Sequence, residues 1–232
     1  MLLAAGRGER LRPLTDTTPK PLLEVAGKTL LDYHLAKLSA AGIYEIIINT
    51  SWLSEKIHRH IELADYPDLS FLLSHEPQAL ETAGGVRKVL PLLGDQPFLL
   101  ISADIWSDLD YQIFSTLELG QAQAHLLMED NPAHNPDGDF EVVGHRVTKG
   151  RHNKLTYSGM GVFHPDLFSQ TTAVQSAAGT KNGSKKVALR EVLNTAIESD
   201  LVTGTQIRCK WFDVGTEDRL QALEKYVVTK SS

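Results

Sequence analysis

The chain has 232 residues, 42% hydrophobic and 22% charged, an ordinary balance for a soluble globular protein of one large domain, or one domain with a small appended lobe. A net charge of −6 argues against a general nucleic-acid binder, and no run of about 18 apolar residues is present to span a membrane. The single Cys209 excludes an internal disulfide framework and fits a reducing cytoplasm, and no signal peptide is expected from an apolar start that runs only from Met1 to Ala5.

Met1 to Ala5 reads as a short apolar strand entering a turn that holds Gly6 and Gly8 among Arg7, Arg10 and Arg12. Lys20 follows between Pro19 and Pro21. Glycines let a backbone come close to an anion and aim its N–H groups, while Arg and Lys supply charge, so these are parts for gripping phosphates. Residues 1–28 carry five basic and three acidic residues, a locally positive mouth on an acidic chain, which suits a small anionic ligand. Two common phosphate loops fail on named residues. A dinucleotide-binding G-x-G-x-x-G would need glycine where Leu11 stands, and a Walker A loop ending at Gly27-Lys28-Thr29 would need one where Leu22 stands.

Downstream, Thr29 to Ala41 predicts a helix with Leu30, Leu31, His34, Leu35 and Leu38 on one face, ended by Gly42. A buried strand over Ile43–Asn49, a helix over Ser54–Leu63 capped by Ser54, and a strand over Leu69–Leu73 follow. Thr82 then caps a helix running to about Leu92, and the apolar strand Phe98–Ser102 stops at Ala103-Asp104. This alternation predicts a Rossmann-like α/β fold with a mostly parallel sheet covered by helices on both faces, and a site off the carboxyl ends of the strands. Beyond Met128 the rhythm changes to a small irregular lobe. It has a hairpin over Phe140–Val147, a glycine-interrupted strand over Thr156–Phe163, a polar loop over Gln175–Lys185, and closing helices over Val187–Glu198 and Thr216–Val228.

The stretch L-x-A-G-x-G-x-R-x-x-P-L-T at Leu3–Thr15, with Pro19-Lys20-Pro21-Leu22 behind it, resembles the sugar-1-phosphate nucleotidyltransferases, and the resemblance extends over the whole chain. It implies a single catalytic domain over 1–232. Residues to about 128 would form the nucleotide-binding part, 129–215 the sugar-binding lobe and the return to the core, and 216–232 the last helix. It also implies transfer of a nucleotidyl group from a nucleoside triphosphate to a sugar 1-phosphate, with release of pyrophosphate. Repulsion among the anions is the main obstacle, so positioning and charge neutralisation supply most of the catalysis. Accordingly the chain has no G-x-S-x-G elbow and no H-E-x-x-H pair. His58 and His60, two apart on a helix, are assigned to the surface.

The resemblance assigns roles residue by residue. Ala5, Gly6, Gly8 and Glu9 belong to the nucleotide loop, and Arg10 and Lys20 contact the triphosphate as the catalytic cations. Asp104 and Asp213, each at the end of a strand, hold Mg²⁺, a hard ion content with one or two carboxylates plus phosphate and water. Glu76, Thr82 and Gly84, in E-P-Q-A-L-E-T-A-G-G, match the turn that reads the base. Family members often have glycine where Glu81 stands, and the L-E-T-x-G-G variant resembles members that use UTP and N-acetylmuramic acid 1-phosphate. Ser102, Asp139 and Gly159 are the sugar contacts, and a lactyl carboxylate would want a cation from among Arg151, Lys154, Arg190 and the Lys185-Lys186 pair. Bland readings stand beside these: Asp104 as a turn residue, Asp213 and Thr82 as helix caps, Cys209 as a small buried side chain.

The leading expectation is therefore a cytoplasmic Mg²⁺-dependent uridylyltransferase in the reuse of cell-wall sugar, a monomer or small homo-oligomer whose partners are small molecules, without nucleic acid or membrane. The same chemistry on mannose, glucose or heptose 1-phosphate with GTP or dTTP stays open, as does a non-catalytic sugar-nucleotide sensor. Relatives usually begin two or three residues before Met1, so the first strand is expected to be short.

Overall fold

The computed structural model describes residues 1–64, 66–170 and 186–231, so the polar loop expected over Gln175–Lys185 lies outside the described residues. The chain forms two compact units. One comprises Met1–Ala79, Ser102–Ser115 and Cys209–Ser232, and the other Leu80–Ile101 and Thr116–Arg208. Strands and helices are numbered below in chain order.

The first unit carries a parallel sheet in the order β5 (Ser70–His75), β4 (Glu45–Thr50), β1 (Leu2–Leu3). Leu2 pairs with Ile48, and Ile48 in turn with Leu73. The Ile46-Ile47-Ile48 run suits a strand flanked on both sides, since β-branched side chains pack well on a pleated surface. Helix α2 (Leu30–Ala40) follows the hairpin of β2 (Glu24–Val25) and β3 (Lys28–Thr29). Its Thr29 side chain accepts the Asp32 N–H as N-cap, and the five side chains predicted for its inner face are all buried. Gly42 ends the helix with φ of +74°, a left-handed conformation favouring glycine.

The 3₁₀ turn Glu9–Leu11, the short helix α1 (Leu14–Thr17) and the 3₁₀ turn Lys20–Leu22 shape the N-terminal loop. A two-stranded antiparallel ribbon, β7 (Ile105–Ser107) with β13 (Trp211–Asp213), pairs Ile105 with Asp213 and Phe212 with Trp106. Helix α7 (Glu217–Ser231) follows that ribbon. Its Leu223 and Val227 enter a core with Leu11, Leu23, Val25, Leu30, Trp106 and Val214. Burying a side chain of this size contributes about 1.5–3 kcal/mol, so this core ties the unit's three chain segments together.

In the second unit, β11 (Lys154–Phe163) pairs antiparallel with β6 (Phe98–Ser102) and with β8 (Ala124–Glu129). β12 (Val202–Gln206) runs parallel to β8, and β10 (Arg146–Thr148) pairs antiparallel with β12 and with β9 (Phe140–Val143). Helices α4 (Glu81–Leu93), α5 (Asp166–Gln170) and α6 (Leu189–Glu198) belong to this unit. The α/β class expected from the alternation holds, and its parallel sheet is that of the first unit. The second unit pairs antiparallel except for β8 with β12.

Two expected caps are corrected. The N-cap of α3 (Ser54–Leu63) is Leu53, left-handed at φ +51°, with Ser54 buried inside the helix. The N-cap of α4 is Leu80, with Thr82 one residue inside, and neither cap makes a side-chain hydrogen bond. At α4 the first-turn N–H groups of Ala83 and Gly84 instead find the Val187 carbonyl, at 3.0 and 3.2 Å. A backbone oxygen thereby satisfies donors that a capping side chain would otherwise take.

Candidate active site

Gly8 has φ of +68°, and a Cβ there would sit 2.9 Å from Thr15 Cγ2, so this turn demands glycine twice over. The Thr15 hydroxyl donates to the Gly8 carbonyl at 2.8 Å, closing the loop on itself. Gly6 is exposed, and a Cβ added to it would meet nothing within 4 Å. Its glycine therefore answers to no neighbour in the protein and leaves the backbone approachable, as a phosphate cradle requires. Ala5 is buried and Glu9 exposed. Arg7 braces the turn: its guanidinium donates to the Thr15 carbonyl at 2.8 Å and to Asp16 at 3.0 Å, and it lies 3.7 Å from the centre of the Trp52 ring. Trp52 donates its own N–H to the same carbonyl at 2.9 Å. Arg12, 60% exposed along its side chain, also pairs with Asp16, whose carboxyl is held below its usual range chiefly by the Arg7 hydrogen bond.

Lys20 is buried, and its Nζ makes an ion pair and short hydrogen bond with Asp104 Oδ2. Pro19 at φ −63° and ψ 141° sets the extended entry that turns the lysine inward. Asp104 stands two residues past the end of β6, and its carbonyl accepts the Val214 N–H at 3.0 Å. With Ile105 paired to Asp213, this bond brings the two aspartates onto adjacent, hydrogen-bonded backbone, although 109 positions separate them in sequence. Asp213 Oδ2 accepts from Arg219 Nη1 at 2.7 Å. Arg10 is exposed, and its guanidinium and that of Arg219 both crowd the place where Gly215 lacks a Cβ. Loop, Lys20, Asp104, Asp213 and Arg10 thus all belong to the first unit.

The turn carrying Asp104 has a buried support. His34 Nε2 donates to the Ile105 carbonyl at 2.9 Å, and Nδ1 lies 2.7 Å from the Tyr111 hydroxyl, which donates to it when the ring is neutral. Burial pushes the His34 pKa down to about 4 and the Tyr111 pKa upward. Ser102 closes β6, half-buried. The Ala103 N–H donates to the Leu3 carbonyl at 3.0 Å, fixing the turn against β1.

Glu76 is buried to 1% exposure. Its N–H donates to the Thr50 carbonyl at 2.7 Å and its Oε1 accepts from Asn49 Nδ2 at 2.8 Å. Asn49 Oδ1 in turn accepts the Ala4 N–H at 2.8 Å, so the carboxylate expected at the base also anchors the start of the nucleotide loop. His60 is not a plain surface residue. Its Nε2 lies 2.8 Å from Asp32 Oδ1, and His58 Nε2 3.3 Å from Thr50 Oγ1, which ties α3 to α2 and β4.

Four expected residues belong to the second unit. Thr82 is half-buried in the first turn of α4, and the N–H of buried Gly84 is taken by Val187. Glu81 beside them holds φ of +63°, a left-handed conformation, at the position where the family often has glycine. Asp139 Oδ2 accepts the Tyr157 N–H at 2.9 Å, and its Oδ1 pairs with Arg190, whose guanidinium lies 5.6 Å from the Phe140 ring centre. Gly159 has φ of +80°, within the stretch where β11 shifts register against β8. Of the cations considered for a lactyl carboxylate, Arg190 is thus engaged by Asp139, Arg151 is exposed and Lys154 half-buried.

Sequence reasoning passed over Arg219, Trp52, His34 as a support, and Asn49. Arg219 had a signal, as the one basic residue among the six that follow Asp213. The others had none, because each acts across distant parts of the chain.

Among the described residues no group of three or more His, Cys, Asp or Glu gathers as a metal site, and no helix is long and apolar enough to cross a membrane. The Asp104–Asp213 pair nonetheless fits Mg²⁺, whose sites need only one or two carboxylates beside phosphate and water.

The family model described as nucleotidyl transferase matches residues 1–229. The N-acetylmuramate alpha-1-phosphate uridylyltransferase of Neisseria meningitidis serogroup B is 43% identical over 231 residues, covering 95% of this chain and 94% of that protein. The mannose-1-phosphate guanylyltransferase catalytic subunit beta of Drosophila pseudoobscura pseudoobscura is 34% identical over 115 residues, 48% of this chain and 31% of its own. Among solved structures, the UTP-bound UGPase from Acinetobacter baumannii superposes with a TM-score of 0.76 at 18% identity, covering 97% of this chain and 91% of that one.

Proposed function

Because the chain belongs to the nucleotidyl transferase family, we propose that it joins the uridylyl group of UTP to N-acetyl-α-muramate 1-phosphate, releasing pyrophosphate, in cytoplasmic recycling of cell-wall sugar. The observation that carries this reading is the meeting of Arg10, Lys20, Asp104 and Asp213 in one unit, combined with near full-length similarity to the Neisseria uridylyltransferase.

The reaction needs a sugar-phosphate oxygen to reach the α-phosphorus while a pyrophosphate leaves, all of these groups being anionic. Gly6 and Gly8 let the loop backbone approach the triphosphate, and the Arg7–Trp52–Thr15 brace keeps that loop in one shape. Exposed Arg10 offers a fork of donors to the phosphates. Lys20, drawn in by Asp104, supplies a buried point charge where low dielectric strengthens it. Asp104 and Asp213 would hold Mg²⁺, which supplies charge neutralisation on the phosphate oxygens when bound. Ser102, Asp139 and Gly159 are the proposed sugar contacts, and Glu76, Thr82 and Gly84 the proposed base contacts, Glu76 from within the fold. A monomer or small homo-oligomer acting on small molecules alone suffices for this chemistry.

Pyrophosphate release measured across UTP, GTP, dTTP and ATP, with N-acetylmuramate, mannose, glucose and heptose 1-phosphates, tests the proposal. UTP with N-acetylmuramate 1-phosphate should give the highest kcat/KM. A preference for GTP or dTTP would move the substrate assignment, silence with every pair would point to a sensor, and undiminished turnover in EDTA would remove the metal.

A further inference from the structure

Arg219 is unexplained by the roles above. It lies in the first turn of α7 and reaches back toward the phosphate loop, donating from Nη1 to Asp213 at 2.7 Å and from Nε to Thr216 Oγ1 at 3.3 Å. Its side chain is 19% exposed. At Gly215 its Nη2 and the Nη2 of Arg10 approach one spot from two chain segments more than 200 residues apart: a Cβ on Gly215 would lie 3.0 Å from Arg10 Nη2 and closer still to Arg219 Nη2. Gly215 has no positive φ, so its bare Cα serves this approach and not a turn.

Two guanidinium groups at one place repel unless an anion neutralises them. Asp213 engages Arg219, while Arg10 makes no ion pair among the described residues. Paired guanidiniums match the spread of oxygens on a phosphate chain, each offering parallel N–H donors. We infer that Arg219 is a second phosphate-binding arginine, which with Arg10 forms a two-guanidinium clamp for the pyrophosphate portion of the nucleotide, and that Gly215 is glycine so that the clamp can close. This rests on the proposed nucleotidyl transfer and names a binding residue beyond Arg10 and Lys20 for it. Asp213 holds the Arg219 fork in place, so the same ion pair serves both the metal carboxylate and the clamp.

Calorimetric titration with inorganic pyrophosphate, in EDTA so that no metal contributes, reads the clamp without turnover. Wild type, Arg219→Ala, Arg219→Lys, Gly215→Ala and Arg10→Ala are compared, with a Tm for each. Arg219→Ala should weaken pyrophosphate binding about tenfold or more, the scale of one lost hydrogen bond to a charged group, and Arg219→Lys should recover part of it. Gly215→Ala should also weaken binding with Tm nearly unchanged, because the atoms in its way are the ends of flexible side chains. Should Arg219→Ala fail to fold, Gly215→Ala and Arg219→Lys decide. Binding within twofold of wild type in the Arg219 and Gly215 variants, while Arg10→Ala loses it, overturns the clamp and leaves the proposed function standing. Failure of the wild type itself to bind pyrophosphate in EDTA also overturns the clamp, while turnover assayed with Mg²⁺ decides the proposed function separately.

Discussion

Acid should destabilise this protein through His34. The ring is 2% exposed, donates from Nε2 to Ile105 and, while neutral, accepts at Nδ1 from Tyr111, so a second ring proton would turn that hydroxyl round and place a charge in a buried site. Burial is the main cause of its fall from an ordinary 6.5 to about 4. Nearby Lys37 adds to the fall, while the Ile105 carbonyl and Asp104 oppose it. The folded value lies below the unfolded one, so as pH drops through 6.5 the unfolded chain takes the proton first. Stability therefore declines from pH 6.5 downward and levels off below about pH 4. Each pH unit between the two values is worth about 1.4 kcal/mol, so the full loss approaches about 3 kcal/mol, most of it spent by pH 4.5. His125 is lowered too, again chiefly by burial, so the contribution of His34 is read as a difference between proteins.

The assay is urea unfolding at several pH values from 7.5 to 4.5, on wild type and on His34→Gln, which cannot gain a proton there. His34→Gln should be the less stable at pH 7.5, since it loses a fitted ring and one hydrogen bond. The gap should then close by about 2–3 kcal/mol as pH falls, because only the wild type carries this proton penalty. Parallel curves would refute the reasoning and show that the Ile105 turn does not depend on a neutral imidazole.

Lys20→Ala and Arg10→Ala should each slow turnover by about 10²–10³-fold with folding intact, the scale for one preorganised transition-state contact, and a loss below threefold would remove that residue from the site. Gly8→Ala should cost about 1–2 kcal/mol in urea unfolding, from its left-handed φ and the clash with Thr15, and should reduce activity as well. Glu81→Gly should add up to about 1 kcal/mol in urea unfolding by relieving a left-handed glutamate, and an unchanged or lower stability would refute it.

How much of this was legible in one dimension depended on whether the cause was local. The face of α2, its Thr29 end and its Gly42 stop follow from 3.6-residue spacing and glycine geometry, and all of them hold. The strand Phe98–Ser102 agrees to the residue. The strand Ala124–Glu129 gave no pattern to read, because all six of its residues are buried and nothing alternates. The cap at α3 falls on Leu53 in a left-handed conformation and not on Ser54, and nothing in the local residue pattern marks a leucine for that role. At α4, Val187 supplies the acceptor from more than 100 residues away.

The same division runs through the site. Spacing along the first 23 residues determined a phosphate-gripping loop, since backbone approach and fixed charge are properties of neighbours in the chain. Only the tertiary structure decided that Lys20 turns inward onto Asp104, that Ile105 pairs with Asp213, and that Arg219 meets Arg10 over Gly215. Those are encounters between residues 84 to more than 200 positions apart, and a linear pattern carries no distance between them. Packing of the Leu11–Val214–Leu223 core brings the segments together, and ion pairs formed across the fold then set where each charge points.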